Sequence, residues 1–212
     1  MVTAIVDIET DSLDATQIHC IVACEYETGK EKVWIQDECS QFASWSKMID
    51  TFIMHNGVSF DAPILNRLTG SEIKLSQVRD TLIESQLYNP IRDKGHSLAS
   101  WGERLGFPKG EHTEFKYYSP EMLEYCKQDV RVTRKVAQAL EIEAKKFSSR
   151  SYELERKVRA IVDQQEKNGF YFNLYEAIPL LAGLEDELHI LEDKAQEIFK
   201  PTEVKLVTKT KY

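Results

Sequence analysis

The chain has 212 residues, 42% hydrophobic and 29% charged, enough to bury one core with a second, smaller unit beside it. That balance excludes a disulfide-stapled mini-protein and a disordered tail. With 27 Lys and Arg against 35 Asp and Glu the formal charge is −8, unlike a plain basic duplex-binding module. An acidic chain that acts on nucleic acid must offset phosphate repulsion locally, and bound divalent cations are one means. Cys20, Cys24, Cys39 and Cys126 form no CxxC pair and read as reduced core thiols. Residues 1–6 are too short and uncharged for a signal peptide, and no apolar run reaches membrane-spanning length. A soluble, cytoplasmic protein without a membrane partner is expected.

Residues 3–8 read as a buried strand, 18–26 as a second and 31–36 as a third, with turn chemistry between them. A short amphipathic segment precedes a strand at 51–55, which Asn56–Gly57 ends sharply. Ser59 reads as the N-cap of a helix through SFDAPILNRL. Residues 75–80 read as a short strand, with Asp80 capping a helix from Thr81. Ser97–Leu105 forms a short helix closed by Gly106, and Ser119–Pro120 starts a long one that runs to about Phe147. The order predicts an α/β fold with a mixed sheet. Beyond it, 150–167 is helical and stops at Asn168–Gly169. Leu181, Leu184, Leu188, Leu191, Ala195 and Ile198 then form a heptad seam for helix-on-helix packing. This predicts a helical hairpin, with a basic, unperiodic stretch at 200–212 where the chain reads as cut off.

Several acids stand in unusual places. Asp7 and Glu9 lie two residues apart, so period two puts both carboxylates on one strand face near Ile5, Val6 and Ile8. Like charges there repel and each costs desolvation. The alternative is a strand ending at Val6, with both acids in a solvated turn. Asp61 fits equally an acid placed against a helix dipole, and His55 and Asn56 fit turn-formers. Tyr125, Asp129, Val132 and Val136 follow 4,3,4 spacing and share a face that the valines mark as buried. A carboxylate there needs a cation, either an arginine such as Arg104 or Arg131, or a metal. Together the four acids can converge on one point. Oxygen-only ligands select Mg²⁺ or Mn²⁺, and two such ions about 4 Å apart clamp an in-line phosphoryl displacement. Tyr125, a poor base near neutral pH with a reference pKa of about 10, is placed to orient water.

DIETDSL (7–13), HNGVSFD (55–61) and YCKQD (125–129) resemble the three motifs of the DEDD exonuclease superfamily, and the tyrosine matches its DEDDy branch. GHSLASWGERLG (95–106) and LERKVRAIVDQQEKNGFYFN (154–173) are similar to stretches of family A DNA polymerases, and an exonuclease motif that starts at Asp7 resembles the phage-type ones. The resemblance implies a ribonuclease-H-like 3′→5′ exonuclease domain over 1–147 and a thumb-like helical segment over 148–212, without palm or fingers. Such a chain is a polymerase fragment, a split gene product or a free-standing relative, in an infected bacterial cytoplasm if phage-encoded.

The resemblance further implies that Asp7, Glu9 and Asp129 hold one divalent cation (Mg²⁺ or Mn²⁺), and Asp7 and Asp61 a second. Tyr125 would position water. Asn56, Thr10 and Leu13 would bind a single-stranded or frayed 3′ end of DNA, Leu13 as an apolar wedge. Partners would be the remaining polymerase domains or a separate polymerase subunit, and the role proofreading. An RNA 3′-processing nuclease shares the motifs, and a non-catalytic interaction module could share the fold.

Overall fold

The computed structural model describes residues 1–200, and the basic stretch from residue 201 onward lies outside the described residues. Five strands form one sheet in the order β3-β2-β1-β4-β5. They are β1 (Thr3–Thr10), β2 (Ile18–Glu25), β3 (Glu31–Ile35), β4 (Thr51–Met54) and β5 (Val78–Asp80). β2 is antiparallel to β1 and β3, whereas β4 is parallel to β1 and β5. The sheet is therefore mixed and helix-flanked, as expected.

β1 sorts its side chains by period two. Ala4, Val6 and Ile8 enter one core with Ile21, Ala23, Phe42, Phe52, Met54 and Leu65. Ile5 enters a second core with Val22, Ile53, Cys126, Val130 and Ala137. Asp7 and Glu9 continue the Ile5 side, beneath the helix that supplies Cys126. β1 runs to Thr10, two residues past the expected end, so both acids stand inside the strand and not in a turn. Its pairing with β4 stops at Ile5–Ile53 while its pairing with β2 continues to Thr10. From Asp7 onward, β1 has a strand neighbour on one side only.

The helices are α1 (Phe42–Ser46), α2 (Asp61–Thr69), α3 (Thr81–Tyr88), α4 (Leu98–Arg104), α5 (Pro120–Ala144), α6 (Ser149–Asn168) and α7 (Leu174–Ile198). The Ser119 hydroxyl accepts from the Met122 amide, and Pro120 opens α5 at N1. Buried Val132, Val136 and Leu140 of α5 pack with Leu98 and Trp101 of α4. Residues 75–77 are a 3-10 turn, leaving only Val78–Asp80 as strand.

Ser59 is not the cap of α2. The helix starts at Asp61 without a side-chain cap, and the Ser59 hydroxyl accepts from Arg159 Nε at 2.8 Å. A tight turn replaces the cap. Asn56 takes φ 67°, its carbonyl accepts from the Phe60 amide, and the Ala62 amide donates to Gly57 O. Gly57 is required there, since a Cβ would lie 2.2 Å from Met54 Cβ.

The chain separates into two compact units, Met1–Lys167 and Asn168–Tyr212. The first extends past residue 147 because α6 is bonded to the sheet. The Asp80 amide donates to the Tyr152 hydroxyl at 2.6 Å, and Arg156 Nη1 donates to Val78 O. In the second unit α7 is capped by Asn173, and Leu181, Leu184, Leu188 and Leu191 are exposed. No helix among the described residues is long and apolar enough to cross a membrane.

Candidate active site

A cleft of about 490 Å³ lies along the half of β1 that β4 leaves open. All eight residues singled out from the sequence line it: Asp7, Glu9, Thr10, Leu13, Asn56, Asp61, Tyr125 and Asp129. His55, Phe60, Lys109 and Phe115 are among the others. β1 contributes Asp7, Glu9 and Thr10, the turn after β4 contributes Asn56, α2 begins with Asp61, and α5 carries Tyr125 and Asp129 one helical turn apart.

The acids are deeply placed. Glu9 is 7% exposed, Asp61 3% and Asp129 4%. Ligand atoms of Asp7, Glu9 and Cys126 lie within 4.8 Å of one another. The Cys126 thiol donates to Asp7 O at 3.5 Å and sits 3.4 Å from Asp7 Oδ2. Burial, then the Asp129 charge, pushes the Asp7 carboxyl up to about 7, against the pull of Lys109 and Cys126. Burial, then Asp7, Cys20 and Asp129, pushes Glu9 to about 10. Asp61 is raised by burial and by the charges of Asp7 and Asp80, its amide hydrogen bonds countering only in part. Without cations, the arrangement opposes its own ionisation.

Asp129 is paired with Lys109, whose Nζ lies 2.7 Å from Asp129 Oδ2. Neither suggested arginine reaches it: Arg131 pairs with Glu31, and Arg104 donates to the carbonyls of Asp93 and Gly95. Burial lowers the affinity of Lys109 for its proton, but Asp129 outweighs this and holds the ammonium charged. The reverse does not hold, since the burial of Asp129 exceeds the help from Lys109 and leaves its carboxyl above the ordinary range. The difference is one of depth, because the Lys109 side chain is 25% exposed and that of Asp129 6%. Asp129 Oδ1 is buried with no hydrogen-bond partner. An orphaned carboxylate oxygen in a cleft that three further acids line, all oxygen donors, suits a hard divalent cation.

The remaining residues form the walls. Tyr125 is half-buried, with Lys109 Nζ 4.5 Å from its ring centroid and the rings of His112 and Phe115 alongside. Leu13 stands on the rim, 88% exposed. Thr10 is buried, and its hydroxyl donates to Ser12 O. Asn56 is half-buried, and its amide donates to Asp80 Oδ1.

Asp80 has a second job that its position as a helix cap did not reveal. Besides accepting from the Leu82 and Ile83 amides of α3, it accepts from Asn56 N at 3.1 Å and Val58 N at 3.0 Å. It therefore ties the start of α3 to the turn that carries Asn56 and leads into Asp61. Thr81 does the same for His55, with its hydroxyl 2.9 Å from His55 Nδ1 and 3.1 Å from Met54 O.

A family model described as 3'-5' exonuclease, of the DNA polymerase A type, matches residues 4–145. Two curated relatives are DNA-directed DNA polymerases. That of Escherichia phage T7 is 25% identical over 79% of this chain and 33% of the relative. That of Enterobacteria phage T3 shows the same identity and coverage. The chain thus spans about a third of the length of the curated relatives it matches. Among solved structures, NrnC of Brucella melitensis bound to pGG superposes with a TM-score of 0.61 at 19% identity, covering 79% of this chain and 85% of that one. Escherichia coli RNase D gives 0.55 at 17% identity, over 74% and 45%. These neighbours share the ribonuclease-H-like exonuclease fold. The match across the sheet and α5 takes in every acid of the cleft, and the chain belongs to the 3'-5' exonuclease domain family.

Proposed function

We propose that this chain is a metal-dependent 3′→5′ DNA exonuclease that trims single-stranded or frayed 3′ ends and serves as the proofreading part of a family A DNA polymerase. One observation carries the reading: four carboxylates from three separate elements converge in one cleft, and one of their buried oxygens has no partner. Such an arrangement repels itself unless cations enter. Asp7, Glu9 and Asp129 would hold one divalent cation, Mg²⁺ or Mn²⁺, and Asp7 and Asp61 a second. When bound, the cations supply Lewis-acid stabilisation of charge at the phosphate and at the departing 3′ oxygen. Tyr125 orients the attacking water by hydrogen bonding. Asn56 meets the substrate strand, and Thr10 and the exposed Leu13 meet the terminal nucleotide. A mismatched end frays more readily and so reaches the cleft more often. The 148–212 segment is proposed as the start of a thumb, with other polymerase domains as partners.

The test is a gel assay on 5′-labelled single-stranded DNA with Mg²⁺ or Mn²⁺, beside the Asp7→Ala/Glu9→Ala double variant. A descending ladder, lost in the variant and in chelator, is expected. Folded protein that leaves the DNA intact under all conditions would overturn the reading. The folds of NrnC and RNase D bring a second substrate class into the same assay. RNA of matched sequence, degraded faster than DNA, would move the assignment to RNA 3′ processing.

A further inference from the structure

Among the described residues that line the cleft, Lys109 is the one lysine or arginine. It belongs to the segment between α4 and α5, which has no regular structure of its own, yet its backbone is fixed. The Phe107 amide donates to Gly102 O at 2.9 Å, and Gln128 Nε2 donates to Pro108 O at 2.7 Å. Gly102 permits the approach, since a Cβ there would lie 2.9 Å from Lys109 N. α4 and α5 together therefore aim this side chain at Asp129. The ammonium takes one carboxylate oxygen, Oδ2, and leaves Oδ1 bare.

The contact suits a replaceable partner. Toward Asp129 it is a single hydrogen bond from a flexible stem, where an arginine would bind with a two-pronged fork, and the ammonium's other neighbour is Tyr125, 4.5 Å from the ring centroid. The Lys109 side chain is a quarter exposed, so it has water to retreat into. It also brings one positive charge to a centre holding Asp7, Glu9 and Asp129. A divalent cation brings two, and once beside Asp129 it repels the ammonium. We propose that Lys109 is a displaceable counter-cation: it neutralises Asp129 in the metal-free enzyme, competes with the divalent cation for that carboxylate, and is expelled when the cation binds. Lys109 thereby weakens metal binding in the absence of substrate. This rests on the reading that the acids hold a metal.

The experiment compares full-length wild type, Lys109→Met and Lys109→Arg. Mn²⁺ binding is followed by loss of the free-ion electron paramagnetic resonance signal, without nucleic acid. Lys109→Met is expected to bind Mn²⁺ about tenfold more tightly, the order expected for one charge a few ångströms away in a partly hydrated site. It should also melt lower than wild type in chelator. Lys109→Arg, which keeps the charge and adds the fork, should bind Mn²⁺ no more tightly than wild type. A Lys109→Met affinity equal to or weaker than wild type overturns the proposal. Should Lys109→Met fail to fold, amine labelling of the wild type decides by mass spectrometry. Reductive methylation of Lys109, measured against exposed Lys145, should accelerate several-fold when Mg²⁺ is added. An unchanged rate overturns the proposal. Wild type that binds no Mn²⁺ at all overturns the metal reading as well, and this outcome is distinct from the other two.

Discussion

Asp129 joins a sequence anomaly to a proposed chemical role. Replacing it with Asn keeps the shape and removes the charge, so Asp129→Asn should slow turnover by about 10²-fold or more, the scale of losing one electrostatic element of a preorganised site. Single-turnover decay of a 5′-labelled oligonucleotide measures this, and a rate within tenfold of wild type would remove Asp129 from the machinery. Tyr125→Phe deletes one hydroxyl. A slowing of about 10- to 100-fold with unchanged Mn²⁺ affinity is expected, and loss of a metal on titration would contradict the water-orienting role. His55 gives a pH signature away from the acids. Burial, then the Lys109 charge, lowers its pKa from 6.5 to about 4. The unfolded chain takes up this proton first as pH falls, so the neutral ring contributes stability that is full above 6.5 and is lost as pH falls toward 4. Urea melts should show a shallower loss over that window in His55→Gln than in wild type. At this scale the sequence was informative wherever a local period applied. Spacing of two on β1 and of four on α5 marked Asp7, Glu9, Tyr125 and Asp129 as oddly placed. Lys109 had no such signal, because it lies in an unperiodic stretch and finds its partner 20 residues away.

At the level of elements, Asp80 sets the geometry of the turn after β4. Its carboxylate serves two amides of that turn and two of α3. Asp80→Ala should cost about 2–3 kcal/mol, combining charge-assisted hydrogen bonds with a lost helix cap. It should also weaken Mn²⁺ binding, because the turn leads directly into Asp61. Parallel thermal and Mn²⁺ titrations test the link; a lowered melting point with unaltered metal affinity would show that Asp61 holds its place unaided. Helix starts with a proper cap, at Ser97, Asp80 and Ser119, were legible because capping is a local code. The start of α2 was not, because the left-handed Asn56 and the contact between Gly57 and Met54 replaced the Ser59 cap with a turn. The full length of β1 was hidden for a related reason. Acids lower strand propensity, and pairing with β2 through Glu9–Cys20 overrides it.

For the whole molecule, the position of α6 decides where the nuclease unit ends. The resemblance put a boundary at 147, and α6 beyond it has only a thin apolar face, with Leu154, Val158 and Ile161 exposed. Tyr152 and Arg156 join it to β5 and Arg159 joins it to Ser59 in the turn before α2; these residues share a helix face at 4,3 spacing but carry polar groups, so an aliphatic period does not flag them. A chain ended after Lys167 should therefore melt in one cooperative transition. One ended after Phe147 should melt about 5 °C lower or more, since each kcal/mol moves a domain of this size by about 2–4 °C. Equal melting points by differential scanning calorimetry would place α6 outside the cooperative unit. The order of strands and helices was readable because each hydrophobic run stated its own period. The convergence of the acids was expected from their placement and from the resemblance; what no local period shows is the crossover that sets β4 beside β1, through which residues from β1, α2 and α5 meet.

β1 lies in the middle of the sheet, bonded to β2 along its length and to β4 over its first half. Central strands are the last to open in native-state fluctuations. Asp7 and Glu9 continue this strand on the part paired with β2 alone, so their amides should exchange with deuterium slowly, as part of the same cooperative sheet. Heat then has no route to disarm these carboxylates while sparing the rest of the sheet. Loss of activity on warming and loss of the fold should trace one curve.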